Sequence, residues 1–140
     1  MSTATQARVR RAAPAAARMT VLAGWSLMVI AVLHTAVFLP QIPWGEWFGG
    51  GLRTADADME WVALFWALPG GLTLPAFLLG LFMIRFGRQG QRIGLGVTAA
   101  LAVWVAGCLW LVGPSGFMFV LVTVGLLVTG AVLDRRADPR

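Results

Sequence analysis

The chain has 140 residues, 59% of them hydrophobic and 12% charged, and several stretches reach the about 20 apolar residues that cross a bilayer as helix. A soluble globular domain is therefore excluded, and the length leaves no room for one beside a membrane bundle. The net charge is +5 and all eleven cations are arginine; they lie beside the apolar runs and form no separate basic face, so membrane topology accounts for them and nucleic acid is not expected as a partner.

Residues 1–18, "MSTATQARVRRAAPAAAR", carry four arginines and no acid. They resemble the start of a secretory signal, but the apolar run over 19–39 is too long for a signal core and no A-x-A site follows it. The segment is read as a cytoplasmic tail ahead of a retained first helix. That helix carries His34, the chain's only histidine, about five residues from its outer end.

Residues 40–60, "PQIPWGEWFGGGLRTADADME", form the expected outer-face loop. A triple glycine permits sharp turning, and Trp44, Trp47 and Phe48 suit the interfacial zone, where amphipathic rings are enriched. The loop is expected to fold back on the outer membrane surface. A second helix is predicted over 61–84, kinked because Pro69 and Pro75 each remove a backbone donor. The carbonyls so freed must find partners inside the bundle.

Arg85, Arg88 and Arg92 separate this helix from a third over 93–113, which holds Trp104, Cys108 and Trp110. A lone cysteine allows no internal disulfide and excludes a membrane thiol oxidoreductase. A short "GPSG" turn leads to a fourth helix over 115–133, followed by a cytoplasmic tail over 134–140. Small residues at Gly94, Gly96, Ala99, Ala100, Ala106 and Gly107, and at Gly125 and Gly130, predict close helix approach on the third and fourth helices.

The fold expectation is an all-α, integral-membrane four-helix bundle in a bacterial plasma membrane. Arg53 alone among the eleven arginines falls on the loop side, so both termini are expected in the cytoplasm. Four helices enclose little interior, which makes a homo-oligomer or a membrane partner a natural expectation.

An ionisable side chain inside the hydrocarbon marks a functional site by default, so His34 with Glu60 is the first candidate pair, with Asp56 and Asp58 as further acids. The alternative for His34 is a single hydrogen bond to backbone that ties two helices together. An extended "DADME" would put its three carboxylates on one face, but no histidine or cysteine stands at metal-ligand spacing from them. Neither a metal nor a cofactor is expected. Trp66, Trp104, Cys108, Trp110, Trp47 and Glu46 are candidates for a ligand pocket in the outer half of the bundle. Arg85, Arg88 and Arg92 share one helical face if the helix extends past the bilayer, and they are candidates for lipid phosphates.

The segments "GWSLMVIAVLHT", "ALFWALPGGL" and "GPSGFMF" resemble those of a family of small four-helix bacterial membrane proteins of unknown function. The resemblance spans roughly residues 20 to 133 and rests on Trp25, His34, Phe65 with Trp66, and Pro114, Gly116 and Phe117. It implies the four-helix fold and no particular reaction.

Three functions follow. The first is binding of a lipid or small hydrophobic ligand in an outer-leaflet aromatic pocket, with seven tryptophans and no tyrosine to supply contact area. The second is an integral-membrane enzyme of cyclase or isomerase type, in which an acid protonates an isoprenoid or lipid and tryptophan faces stabilise the cation. The third is a packing subunit of a larger membrane complex.

Overall fold

The computed structural model describes residues 12–137, and among them every regular element is helical. Arg8, Arg10, Arg11 and Arg140 lie outside the described residues. Helix α1 spans Pro14–Phe38, so the tail expected up to residue 18 is helical in its last turn. Pro14 opens the helix, where its missing N–H would be unpaired in any case, and alanines propagate it. A 3₁₀ turn, Leu39–Gln41, follows. The loop over 40–60 is not extended: it contains α2, Trp44–Phe48, and a second 3₁₀ turn, Gly51–Arg53.

In place of one helix over 61–84, the chain forms α3, Met59–Ala67, and α4, Thr73–Arg88, divided by turns over 68–72. Pro69 has no N–H to offer the Phe65 carbonyl, which accepts instead from Gly70 at 2.9 Å. The Trp66 and Leu68 carbonyls accept from Leu72 and Thr73, each at 3.1 Å. A side chain on Gly70 would collide with the Phe65 ring, and one on Gly71 with the Trp66 carbonyl, so this folding of the backbone requires both glycines. Restarting the helix at Thr73 places Pro75 in a first turn, where no intrahelical donor is needed. The break is thus where the two prolines cost least.

Helix α5 spans Leu95–Val112 and α6 spans Phe117–Ala137, which carries α6 beyond its expected end near residue 133. Gly113, at φ 78°, makes the reversal between them. Three segments, Pro14–Gln41, Leu95–Val112 and Phe117–Ala137, are long and apolar enough to cross a membrane. The nine-residue α3 and sixteen-residue α4 do not reach that length singly.

Helix α1 is the centre of the arrangement. It packs on α4 along one side and on α6 along another, while α5 packs on α6. Its buried positions are mostly small: Ala16, Ala17, Thr20, Ala23, Gly24, Leu27 and Ala31. They recur at three- and four-residue spacing, so they form one stripe. The tightest approach is between α1 and α4, where a Cβ on Gly24 would sit 2.6 Å from the Gly80 carbonyl oxygen and one on Gly87 2.8 Å from the Ala17 carbonyl oxygen. Gly130 of α6 also meets α1, near Met19 and Ala16. The glycines expected to mediate packing on α5 do not: Cβ atoms on Gly94, Gly96 and Gly107 would meet nothing within 4 Å, nor would one on Gly125 of α6.

The hydrophobic core of Ala23, Leu27, Met83, Ile93 and Leu127 lies toward one end of the bundle. Small residues there let the helices touch, whereas Val29, Val32, Leu33 and Val37, toward the other end of α1, stay exposed. The helices are close-packed at the core end and less filled at the other. That asymmetry determines where a site can form.

Candidate functional site

The charged ends of the bundle differ in sign. The start of α1, the end of α4, the start of α5 and the end of α6 meet at one end, because Ala12 N–H bonds the Gly90 carbonyl at 2.8 Å and Asp134 joins two other segments. Arg18, Arg85, Arg88, Arg92, Arg135 and Arg136 gather there. Arg53 and the acids Glu46, Asp56, Asp58 and Glu60 belong to the opposite end, that of the loop over 40–60.

At the arginine end, Asp134 accepts from Ala13 N–H at 2.9 Å and from Arg92 Nε–H at 2.6 Å, and Arg92 also reaches the Ile93 carbonyl at 3.3 Å. This carboxylate ties α6 to the start of α1 and to the loop before α5. Arg92 is therefore engaged within the fold, while Arg85 and Arg88 are exposed in the last turn of α4.

His34 sits near the loop end of α1, and its Nε2 lies 3.2 Å from the Ala67 carbonyl oxygen. Ala67 is the last residue of α3, so its carbonyl has lost its intrahelical donor to the break. Thr73 Oγ1 donates to the same oxygen at 3.4 Å, and Thr35 Oγ1, which donates its hydrogen to the Ala31 carbonyl at 2.9 Å, lies 3.5 Å from Thr73 Oγ1. Phe38 packs on the imidazole with ring centroids 4.8 Å apart. The polar partner of His34 is thus a backbone carbonyl and not Glu60. Glu60 stands in the first turn of α3, seven residues or about 10 Å of helix from Ala67, and is exposed.

The other loop acids do not converge either. Asp58 caps α3 by accepting from Glu60 N–H at 2.8 Å, and Asp56 is exposed in a turn before it. Among the described residues no three His, Cys, Asp or Glu side chains come together.

Above the core, between α1, α4, α5 and α6, lies a cleft of about 800 Å³. Its floor is near Ser26 and Leu27, and its walls include Leu79, Trp104, Phe117 and Val120. Among the described residues His34 is the one titratable side chain in its lining, with the Ser26 and Ser115 hydroxyls and the Trp104 indole as polar companions. On the floor Ser26 and Thr123 share a 2.8 Å hydrogen bond that ties α1 to α6.

The sequence candidates are distributed unevenly about this cleft. His34 and Trp104 line it, Trp104 with its ring edge-on to Phe117 at 5.3 Å. Trp66, Cys108, Trp110, Trp47 and Glu46 are absent from its lining. Trp110 is 89% exposed, and Cys108 is a partly exposed free thiol. Trp66 and Trp47 instead join a run of rings at the loop end, Trp66 to Phe65 to Trp47 to Trp44 to Phe48, with successive centroids 5.6 to 6.0 Å apart. The loop is held against α3 through this run.

Sequence reading missed Asp134, Ser26 and Thr123. Asp134 follows an apolar run and precedes Arg135 and Arg136, which gives it the look of a tail residue. Single hydroxyls in an apolar helix commonly bond the carbonyl one turn back, as Thr129 does here. Only their meeting across helices distinguishes them. Comparison of the chain with protein-family models, curated proteins and solved structures finds no match. The resemblance drawn from the short motifs therefore rests on those residues alone.

Proposed function

We propose that the protein is a multi-pass membrane protein that binds a lipid or other hydrophobic ligand in the cleft between α1, α4, α5 and α6. In this reading α3, the break and α4 together make a fourth, interrupted crossing. The cytoplasmic side is the arginine end, in accord with the bias that sets orientation, and the exposed aromatic run lies at the outer interface of a bacterial plasma membrane. Arg85 and Arg88 then stand at the level of the inner-leaflet phosphates.

The observation that carries the reading is the cleft itself. It is large enough for a lipid chain, its walls are apolar, and it opens where the core ends. Acid catalysis has less support, since neither Glu60, Asp58 nor Asp56 lines the cleft.

The test is lipid extraction from the purified protein, followed by mass spectrometry, with Gly116→Leu beside the unmodified chain. Gly116 lines the cleft, and a Cβ there meets nothing within 4 Å, so the leucine occupies cleft volume without forcing the backbone. A defined molecule retained by the unmodified protein and lost from an equally stable Gly116→Leu supports binding. A lipid complement equal to that of the bulk membrane in both would sink it.

A further inference from the structure

The polar groups of the cleft are unequally supplied with partners. On the floor, Ser26 donates its hydroxyl hydrogen to the Ala23 carbonyl at 2.8 Å, so in its contact with Thr123 it must accept. Both hydroxyls are engaged. Toward the outer end the situation reverses. The Ala67 carbonyl can only accept, which puts the hydrogen of a neutral His34 ring on Nε2 and leaves Nδ1 as an acceptor. Among the described residues Nδ1 makes no hydrogen bond, and Ser115, at the same end because it leads into α6, has a buried hydroxyl without a partner.

The distribution of charge narrows the ligand further. Among the described residues no arginine lines the cleft, and apart from Arg53 the described arginines are at the opposite end of the bundle. A carboxylate or phosphate head would enter without a counter-charge, which apolar surroundings penalise heavily. A head that offers a neutral donor meets the acceptor that is left over. From His34 down to Ser26 is eight residues, or about 12 Å along α1, and the wall over that length is apolar.

Building on the lipid-binding reading, we propose that the cleft takes a single-chain lipid alcohol. Its uncharged hydroxyl donates to His34 Nδ1, with the Ser115 hydroxyl as the donor available to its oxygen, and its chain runs inward to the Ser26–Thr123 floor. His34 thereby has two duties, one nitrogen holding the helix break and the other reading the ligand head.

The experiment uses the full chain in lipid nanodiscs with a photoactivatable dodecanol carrying its reactive group in mid-chain, and maps the labelled residues by peptide mass spectrometry. Unlabelled dodecanol, dodecyl methyl ether, dodecane and ionised laurate compete. The ether keeps the oxygen and loses the donor. Saturable labelling of the cleft walls is expected, with dodecanol displacing the probe at roughly ten-fold lower concentration than the ether, the size of one hydrogen bond. Ser115→Ala should weaken competition by dodecanol and by the ether alike, by a few-fold, leaving their ratio and the labelled positions unchanged, and His34→Phe should remove the ratio.

Equal competition by alcohol and ether, or laurate competing as well as dodecanol, overturns the alcohol proposal while saturable labelling leaves lipid binding standing. Absence of saturable labelling overturns both. If His34→Phe fails to assemble, the alcohol-to-ether ratio in the unmodified protein decides.

Discussion

A methyl group added at Gly24 is the sharpest perturbation of this fold. Its carbon would lie 2.6 Å from the Gly80 carbonyl oxygen and 2.9 Å from the Ile84 amide nitrogen, both backbone atoms that cannot rotate away. Ordinary contact needs roughly 3.5 Å or more, so α4 must retreat from α1 by up to about 1 Å and loosen the seam through Gly80 and Gly87. Overpacking of this kind costs about 1–3 kcal/mol. Alanine in place of a helical glycine returns up to about 1 kcal/mol of propensity. The net expectation for Gly24→Ala is a loss of about 1–2 kcal/mol. Gly107→Ala is the matched control, since nothing lies within 4 Å of its added carbon, and it should be neutral or stabilising by up to about 1 kcal/mol. Both are measured by the loss of helical circular dichroism on titration from mild into denaturing detergent. Equal stability of the two variants would refute the argument that α1 and α4 meet through their glycines.

Three further outcomes are expected. Arg92→Ala should destabilise the arginine end by about 1–3 kcal/mol, because the Asp134 side chain is only 11% exposed and loses its 2.6 Å cation, Arg92 itself being 28% exposed; thermal unfolding in detergent measures it, and an unchanged midpoint contradicts the role. Asp58→Ala should fray the first turn of α3 at a local cost of about 1 kcal/mol, seen as faster hydrogen exchange at the Glu60 amide with the exchange of α1 unaltered. In a Cys108→Ser background, a cysteine replacing Asp56 should react with an impermeant thiol reagent from outside the cell and one replacing Arg88 should not; external labelling at position 88 reverses the proposed orientation.

Much was legible in the residues themselves, and the legible part has a common character. Apolar length is a property of a continuous segment, so the helical, membrane-compatible character needed no knowledge of neighbours. Charge segregation is equally local, and Arg53 already stood apart from the other arginines along the chain. Pro69 and Pro75 announced a fault in the second helix, although two prolines with two glycines between them produce a complete break and not a bend. His34 had to meet a polar group, because leaving it unpaired in hydrocarbon is costly.

What the residues could not reveal is which faces and groups meet. In helices apolar on every side, periodicity does not distinguish a packed face from one that faces lipid, and for that reason the small residues of α5 looked as good as Gly24, Gly80 and Gly87. The partner of His34 was hidden for a related reason: it is a main-chain oxygen 33 positions away, present in every residue type and made available only by the break in the backbone. Asp134 likewise became a clasp only when α6 carried it past residue 133, up to the start of α1 and the Arg92 loop. Local chemistry determined the elements and their charged ends. The tertiary structure alone decided the contacts, because in an apolar chain pairing depends on shape and on a few unsatisfied polar atoms, and these are positions in space before they are positions in a sequence.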